Sequence, residues 1–283
     1  GLKTTGSCLQ HLVPGRERMQ MRKGVTVLDF DRSYQWQTFL RDLAVEWIDL
    51  TDIPGTKRYC AVGSLATIRQ RLKRRRSRGV TLIGSGNYHY VTYLLLSEIT
   101  TPFSLVLFDY HTDLTESLDG ELVSCGSWVL RALTEIPLLQ EVLIIGAHRG
   151  ANETLAKLPE PLKRRVSVVE QGSEGWALIP ATLSRLSTRN VYISIDKDVL
   201  DRTEAVTDWE QGAMKLPVLL ELIRAIGSHR QVCGADICGE YPMSPLEALG
   251  GRGRLAVRKN ARVNQALLKT FGSIDLSVLP LNS

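Results

Sequence analysis

Short, continuous apolar segments recur along the chain, and they constrain its fold most. Such segments are typical of strands in a parallel sheet covered on both faces, because neither face of the strand meets water. Helical patterns between them indicate an α/β protein. We therefore predict a three-layer α/β/α fold with a mostly parallel sheet of about eight strands. The predicted strands comprise residues 25–30, 46–53, 80–83, 105–108, 142–145, 166–169, 191–195 and 232–237.

The segments between the predicted strands carry apolar residues at helical spacing. No internal repeat, low-complexity tract or obvious linker divides the chain. We therefore predict a single domain over residues 1–283, in which residues 1–20 are irregular. The predicted helices comprise residues 36–43, 64–76, 90–99, 127–134, 216–226 and 256–271.

Composition places the chain among ordinary globular proteins. Hydrophobic residues make up 43% and charged residues 23%, which excludes a disordered chain, a collagen-like repeat and a disulfide-dense miniprotein. No apolar stretch reaches ~18 residues, so we expect no membrane span. The five cysteines are irregularly spaced and form no Cys-x-x-Cys pair, which argues against a disulfide framework or a structural zinc site. Reduced thiols predict a cytoplasmic protein.

Basic residues are in mild excess, and the net charge is +5. Six cations fall within residues 71–78, a run that could be a solvated helix end or a contact for a polyanion. Nucleic-acid binding favours basic faces with interleaved aromatic residues, and none flanks this run. We favour the solvated helix end and expect no nucleic-acid partner.

One predicted strand, residues 105–108, runs directly into Asp109, His111 and Asp113. In an extended chain alternate side chains point to the same side, so two carboxylates and one imidazole should converge on one point. Such groups repel or desolvate one another unless a cation lies between them.

Two other predicted strands also end in polar side chains. Asp196 and Asp198 follow residues 191–195, and His89 follows the glycine-rich turn at residues 84–86. Ligands gather at the carboxyl ends of parallel strands. Each motif alone is commonly a helix cap, a loop anchor or a packed histidine. Together the three motifs hold four carboxylates and two imidazoles without a cysteine, a set that suits manganese better than zinc.

These three segments resemble the metal-binding motifs of the ureohydrolase superfamily, which includes arginase, agmatinase and formiminoglutamase. That family has a Gly-Gly-x-His turn, an Asp-Ala-His-x-Asp strand end and a Ser-Phe-Asp-x-Asp-x-x-Asp-Pro strand end. The resemblance implies an arginase-like fold and a site for two Mn²⁺ ions, or for other divalent cations. The implied ligands are His89, Asp109, His111, Asp113, Asp196 and Asp198.

The resemblance is weaker around the implied substrate pocket. The family has a His-Gly pair whose histidine is a proposed proton shuttle, and Cys125-Gly126 lies at the matching place. The family's last strand carries a glutamate that contacts the substrate guanidinium. Here Gly239 takes that position, and Glu240 lies one residue later. The chain therefore resembles a divergent member of the family, in which the metal ligands are all present and the residues expected to contact the substrate differ.

By this resemblance the chain is a manganese-dependent hydrolase of non-peptide C–N bonds, acting on a guanidino or related amidine group. A hydroxide that bridges the metals would attack the planar carbon. Asp113 would hold this hydroxide, and Glu240 or Cys125 would move a proton to the leaving nitrogen. Trp209 and Gln211 are candidate substrate-binding residues. The alternatives are that Glu240 is exposed, that Cys125 is a small residue under a loop, and that the loop at 209–211 is solvated.

Two other functions stay open. The scaffold also permits amide or formimino hydrolysis, as in the deacetylases that share the fold with a single zinc, although two histidines and four aspartates favour two metals. Alternatively, the chain is a non-catalytic family member that keeps metal for stability or regulation. In the enzymatic interpretation the partner is a small-molecule substrate, and a homo-oligomer is expected because family members are often trimers or hexamers.

Overall fold

A parallel sheet of eight strands forms the centre of the computed structural model, which describes residues 24–117 and 119–276. The strands of the described residues are β1 (Val25–Asp29), β2 (Val45–Asp49), β3 (Tyr59–Cys60), β4 (Val80–Gly84), β5 (Phe103–Phe108), β6 (Val123–Ser124), β7 (Leu139–Ala147), β8 (Val166–Glu170), β9 (Asn190–Asp196) and β10 (Gln231–Cys238). The sheet has the order β2-β1-β4-β10-β9-β5-β7-β8, and β3 pairs with β6 as a separate antiparallel ribbon.

Helices follow most strands of the sheet. They are α1 (Val62–Lys73), α2 (Val91–Leu96), α3 (Trp128–Glu135), α4 (Ala151–Ala156), α5 (Glu160–Lys163), α6 (Ser173–Ser184), α7 (Leu216–His229), α8 (Pro245–Leu249) and α9 (Gly251–Gly272). In the part of the chain that the structure describes, no helix combines the length and the apolar character needed to cross a membrane.

Alternating side chains of the strands divide the core into two apolar layers, one on each face of the sheet. On β5, Leu105 and Leu107 pack into one layer, and Val106 and Phe108 pack into the other, as the two-residue period of a strand requires. The first layer packs against α1 to α4, and the second packs against α6, α7 and α9. The predicted three-layer fold around a parallel sheet is confirmed.

Local predictions agree with the structure better for strands than for helices. A strand lies in each of the eight predicted segments. The helix predicted at 36–43 is wrong, because only a 3-10 turn at Thr38–Arg41 forms there. Helix α6 was not predicted, and it carries Pro180 in its interior, which weakens a helical signal. The single domain over residues 1–283 stays a prediction, and residues 1–20 lie outside the described part.

Carboxylates neutralise part of the basic run at residues 71–78. Arg75 and Arg78 both bind Glu98, with N···O distances of 2.6 and 3.0 Å, and Arg75 is buried. The predicted solvated helix end therefore holds for only part of the run, and the buried arginine contributes to local packing.

Candidate metal centre and adjoining cavity

Four neighbouring strands, β4, β10, β9 and β5, end at one edge of the sheet. Phe108 of β5 pairs with Ile195 of β9, so the next residues, Asp109 and Asp196, follow side by side. On the other side of β9, Cys238 of β10 pairs with Asp196. The register of the strands therefore gathers these polar side chains at the edge where parallel sheets usually bind ligands.

His89 faces a first group of carboxylates. Its Nδ1 atom lies 3.2 Å from Asp109 Oδ2 and 3.4 Å from Asp113 Oδ2. Asp196 Oδ2 lies 3.6 Å from the same nitrogen. All four side chains are buried. This geometry leaves a nitrogen and three carboxylate oxygens facing one another.

His111 lies in a second group, on the other side of Asp109. Its Nδ1 atom lies 2.8 Å from Asp198 Oδ2 and 3.6 Å from Asp109 Oδ1. Asp109 therefore presents Oδ2 to His89 and Oδ1 to His111. Within the His89–Asp109–Asp113 set and within the Asp109–His111–Asp198 set, the possible ligand atoms lie within 4.8 Å of one another. A carboxylate shared by two ligand sets is suited to two neighbouring cations.

Main-chain N–H groups orient these carboxylates. The N–H of His111 donates to Asp109 Oδ1 at 2.7 Å, and that of Tyr110 donates to Asp198 Oδ1 at 3.0 Å. In the 3-10 turn after β9, the N–H of Asp198 donates to Asp196 Oδ1 at 2.9 Å. Because the donors belong to the backbone, the local path of the chain fixes the direction of each carboxylate.

Asp113 reaches the first group through an uncommon backbone conformation. Its φ is +52°, in the left-handed region that non-glycine residues seldom adopt. Trp128 Nε1 donates a 2.6 Å hydrogen bond to Asp113 Oδ2, and the N–H of Val129 donates to the Asp113 carbonyl at 3.2 Å. Helix α3 carries both donors and holds this conformation. Such strain recurs at functional sites.

A chain of hydrogen bonds behind His89 fixes its imidazole. Ser194 Oγ lies 2.9 Å from His89 Nε2 and donates to Asp236 Oδ1 at 2.6 Å. The Tyr192 hydroxyl donates to Asp236 Oδ2 at 2.9 Å. Metal-binding histidines usually have such a partner on the second ring nitrogen. Sequence reasoning missed these residues, and the available signal was the two-residue spacing that puts Tyr192 and Ser194 on one face of β9.

The close charges shift the pKa values of the group members. Burial alone would lower the pKa of His89, but the hydrogen bond with Asp109 and the nearby carboxylates raise it to about 10. Burial also opposes the charge on His111, yet Asp109 and Asp198 raise its pKa to about 12. Burial, followed by the charge of Asp109, raises the pKa of Asp113 to about 8. When no cation is bound, these imidazoles and carboxylates therefore retain protons that they would otherwise lose.

The donor set fits two divalent cations. Carboxylate oxygens and imidazole nitrogens suit manganese and similar ions, and two such ions would balance the charge of four buried carboxylates. The structure brings together all six ligands that the sequence predicted. We call these six residues the aspartate cluster, and they are His89, Asp109, His111, Asp113, Asp196 and Asp198.

Cys238 places a thiol beside this cluster, and sequence reasoning missed it. Its Sγ donates to Asp196 Oδ2 at 3.2 Å. Together with His89 and Asp196 it forms a further set whose possible ligand atoms lie within 4.8 Å of one another. Burial and the neighbouring carboxylates raise the pKa of the Cys238 thiol. Sulfur favours softer cations such as zinc, so this position bears on which metal the site prefers.

A cavity of about 240 Å³ opens onto the aspartate cluster. Cys125 and Trp209, two predicted pocket residues, both line it. The Trp209 ring centroid lies 5.7 Å from that of His111, in an edge-on arrangement. Burial and the charges of Asp113 and Asp196 raise the pKa of the Cys125 thiol to about 12. The lining comprises Gly86, His89, Asp109, His111, Thr112, Asp113, Thr115, Cys125, Gly126, His148, Thr154, Asp196, Asp198 and Trp209.

The structure does not bring Glu240, predicted to move a proton at this site, into the described lining. Lys197 Nζ binds the Glu240 carboxylate, and Asn264 Nδ2 and Gln37 Nε2 donate to it at 2.7 and 2.9 Å. Gly239, with a φ of +90°, turns the chain just before Glu240. Glu240 is therefore only 2% exposed among these partners. We call Lys197, Glu240, Asn264 and Gln37 the Lys197 cluster.

The structure also does not bring Gln211, predicted to bind the substrate, into the described lining. Its Nε2 donates to the carbonyls of Leu200 and Ala205 at 3.0 and 3.2 Å. Its Oε1 accepts the N–H of Thr207 at 3.2 Å. Gln211 thus closes the loop after β9, and this closed loop presents Trp209 to the cavity.

Four lining residues besides glycines were not predicted from the sequence. His148 follows β7, at the same edge of the sheet as the aspartate cluster, and its N–H donates to the Tyr110 carbonyl at 2.8 Å. Its position after a strand end was a usable signal. The other three residues contribute hydroxyl groups, and they are Thr112, Thr115 and Thr154.

Known proteins share the fold and parts of the sequence of this chain. The family model described as Arginase family matches residues 19–245. An uncharacterized protein from Thermotoga maritima is 34% identical over 256 residues, which cover 90% of this chain and 92% of that protein. An agmatinase from Bacillus anthracis is 29% identical over 210 residues, covering 70% and 68%. The structure of formimidoylglutamase from Bacillus subtilis matches with a TM-score of 0.62 at 18% identity, covering 96% of this chain and 97% of that one.

Proposed function

Because the chain belongs to the arginase family, we propose that it is a metal-dependent hydrolase of non-peptide C–N bonds in guanidino or related amidine compounds. The agmatinase relative supports this class of reaction. We propose two Mn²⁺ ions as the cofactor, held by the aspartate cluster. The observation that carries the proposal is Asp109, which presents one carboxylate oxygen to each ligand set.

The proposed reaction consumes one water molecule. A substituted guanidinium and water give an alkylammonium ion and urea. The water oxygen becomes the urea carbonyl, the bond from the central carbon to the substituted nitrogen breaks, and both water hydrogens finish on that nitrogen. Two divalent cations, when bound, supply a water of lowered pKa and positive charge beside the substrate carbon.

The residues of the chain orient the water and move the protons. We assign Asp113 the task of accepting a hydrogen bond from the attacking water, since its carboxylate lines the cavity and Trp128 fixes its direction. Outside the aspartate cluster, Cys125 and His148 are the titratable side chains among the described residues of the lining. We assign them the transfer of a proton to the leaving nitrogen, in place of Glu240. We assign Trp209 a contact with the substrate on the side of His111, because its ring lies against that imidazole and lines the cavity.

Metal content and product analysis test this proposal together. Elemental analysis of the manganese-dialysed protein should give about two manganese per chain, and Asp198→Ala should lose metal. The loaded protein should then release urea or ammonia from members of a panel of guanidino, amidine and amide compounds. One zinc per chain with carboxylate products would instead support amide hydrolysis. Bound metal without turnover of any compound would support a non-catalytic family member.

We further propose a small-molecule substrate, a homo-oligomeric assembly and a cytoplasmic location. Sedimentation of the purified protein measures the assembly. Fractionation of cells that express the full-length protein measures the location.

A further inference from the structure

Among the described residues that line the cavity, no carboxylate outside the aspartate cluster is offered to a cationic substrate tail. Among the described residues that line it, the acidic ones are Asp109, Asp113, Asp196 and Asp198, all of which belong to the aspartate cluster. The remaining side chains of the lining are hydroxyl, thiol, imidazole and indole groups. An ammonium group at the far end of a substrate would therefore lose water without gaining a negative partner, which is unfavourable.

The backbone at position 239 also leaves no room for a carboxylate side chain. A Cβ atom added to Gly239 would lie 2.5 Å from Asp196 Oδ1 and 2.6 Å from the Lys197 backbone nitrogen. The φ of +90° at this position also favours glycine. The next residue, Glu240, is neutralised by Lys197. This region therefore gives no negative charge to the cavity.

Arg58 lies beside two residues that line the cavity, Trp209 and Cys125, although it is not itself part of the lining. Its guanidinium carbon lies 4.9 Å from the ring centroid of Trp209. Its carbonyl accepts the N–H of Cys125 at 2.9 Å, and its own N–H donates to the Asn87 carbonyl at 3.1 Å. Since Trp209 and Cys125 both line the cavity, these contacts hold the Arg58 guanidinium and backbone next to it.

The backbone and side chain of Arg58 are both held in place. Its φ of +67° lies in the left-handed region, where an arginine is strained. Its Nε donates to Asn87 Oδ1 at 3.3 Å, and the Asn87 amide in turn donates to Asp208 Oδ2 at 3.2 Å. Within the described ranges no carboxylate oxygen lies within 4.0 Å of the Arg58 guanidinium, and Asp208 interacts with its charge only from farther away. Among these residues the guanidinium therefore has no direct ion-pair partner.

We propose that Arg58 determines specificity by binding a carboxylate at the far end of the substrate. This inference rests on the proposed function, since the reacting guanidino or amidine carbon is placed at the aspartate cluster. A guanidinium binds a carboxylate through two parallel hydrogen bonds. Because Nε already donates to Asn87, the carboxylate would bind the two terminal guanidinium nitrogens. The substrate class is a guanidino or amidine compound with an anionic tail.

Three probes of matched size test the preference for the tail. They are 4-guanidinobutanoate, 1-butylguanidine and agmatine, whose tails end in a carboxylate, a methyl and an ammonium group. With the manganese-loaded protein, kcat/KM should fall in that order. Arg58→Gln should lower kcat/KM for 4-guanidinobutanoate by ~10–100-fold, the effect of losing a charge-assisted pair, and leave 1-butylguanidine nearly unchanged. Lys57→Gln, at the adjacent exposed cation, is the matched control and should alter none of the three values.

Two results would overturn the inference: a preference of the unaltered protein for agmatine, or equal losses on all three probes in Arg58→Gln. Calorimetric binding of the same probes to the loaded protein measures the tail preference even where no urea forms. Selective binding of 4-guanidinobutanoate without any urea would therefore count against the proposed function and for this inference. Urea release without tail selectivity would do the reverse.

Discussion

Two buried polar clusters lie back to back at the carboxyl edge of the sheet, and they differ in charge balance. In the Lys197 cluster one ammonium meets the carboxylate of Glu240, and two amide side chains complete the hydrogen bonds. In the aspartate cluster four carboxylates face two imidazoles. Both clusters use the same chain segment, since Lys197 lies between Asp196 and Asp198.

The difference in balance separates a structural role from a binding role. A buried ion pair whose partners are satisfied has no capacity left for a ligand. Four carboxylates shift the pKa values of their neighbours because they lack compensating charge, and such shifts mark functional sites. We therefore expect variants of the aspartate cluster to change metal content and activity, and variants of the Lys197 cluster to change stability.

The largest effect is expected for Asp109→Asn, which removes the carboxylate shared by the two ligand sets. Activity should fall by at least on the order of 10²–10³-fold, as for loss of a major electrostatic contact, and metal content should drop below two per chain. Urea release and elemental analysis measure both. Asp201→Asn is the control, because this partly exposed carboxylate bonds Thr203 and Lys215. If Asp109→Asn retained both metals, Asp109 would not be the ligand that the two metal sites share.

Lys197→Met should destabilise the fold by about 3–5 kcal/mol, because it leaves Glu240 buried without a cation. The double variant Lys197→Met/Glu240→Leu should recover most of that loss, since both charges are then gone. Urea denaturation of the metal-loaded variants measures the free energy of unfolding. If Lys197→Met instead kept full stability and lost metal, the two clusters would have to be treated as one.

The metal affinity of the aspartate cluster should rise with pH, because the cluster holds protons in place of the missing positive charge. In the metal-free protein Asp113 keeps its proton below about pH 8 and His89 below about pH 10. Both must lose these protons to bind a cation, so protons compete with the metal at lower pH and are released on binding. Calorimetry at about pH 6 and about pH 8, in two buffers of different ionisation enthalpy, measures affinity and proton release. Equal affinity at the two pH values would contradict this protonation of the cluster.

The smallest effect is expected for Cys238→Ser, at the point where the two clusters approach. Because sulfur favours softer ions, loss of the thiol should reduce the preference for zinc over manganese by up to ~10-fold, with little change in manganese affinity. Competition between the two metals, followed by elemental analysis, measures this ratio. The cobalt-loaded protein gives a second test, since a sulfur-to-cobalt absorption band should be present before the substitution and absent after it. An unchanged ratio and no band would place Cys238 outside the metal shell.

The sequence alone led to all six members of the aspartate cluster because each lies at or just after the end of an apolar strand. Strand ends can be read from a sequence, and the parallel topology then brings them together. The side chains behind His89 were harder to find, because Asp236 contacts Ser194 only once β10 and β9 are neighbours. His148 follows the end of β7, which was a usable signal, but only the fold shows that it shares a cavity with the residues after β5 and β9.

The apolar segments were sufficient to predict the three-layer fold, and the polar residues at their ends were sufficient to predict the candidate ligands. Both signals depend on neighbouring residues in the sequence, through burial and the two-residue period of a strand. Only the tertiary structure decided where Glu240 and Gln211 point. Glu240 faces away from the cavity because Gly239 turns the chain and because Lys197, 43 residues earlier, neutralises it. Gln211 bonds its own loop, whose closure leaves Trp209 at the cavity. These orientations depend on partners that the folded chain alone brings within reach.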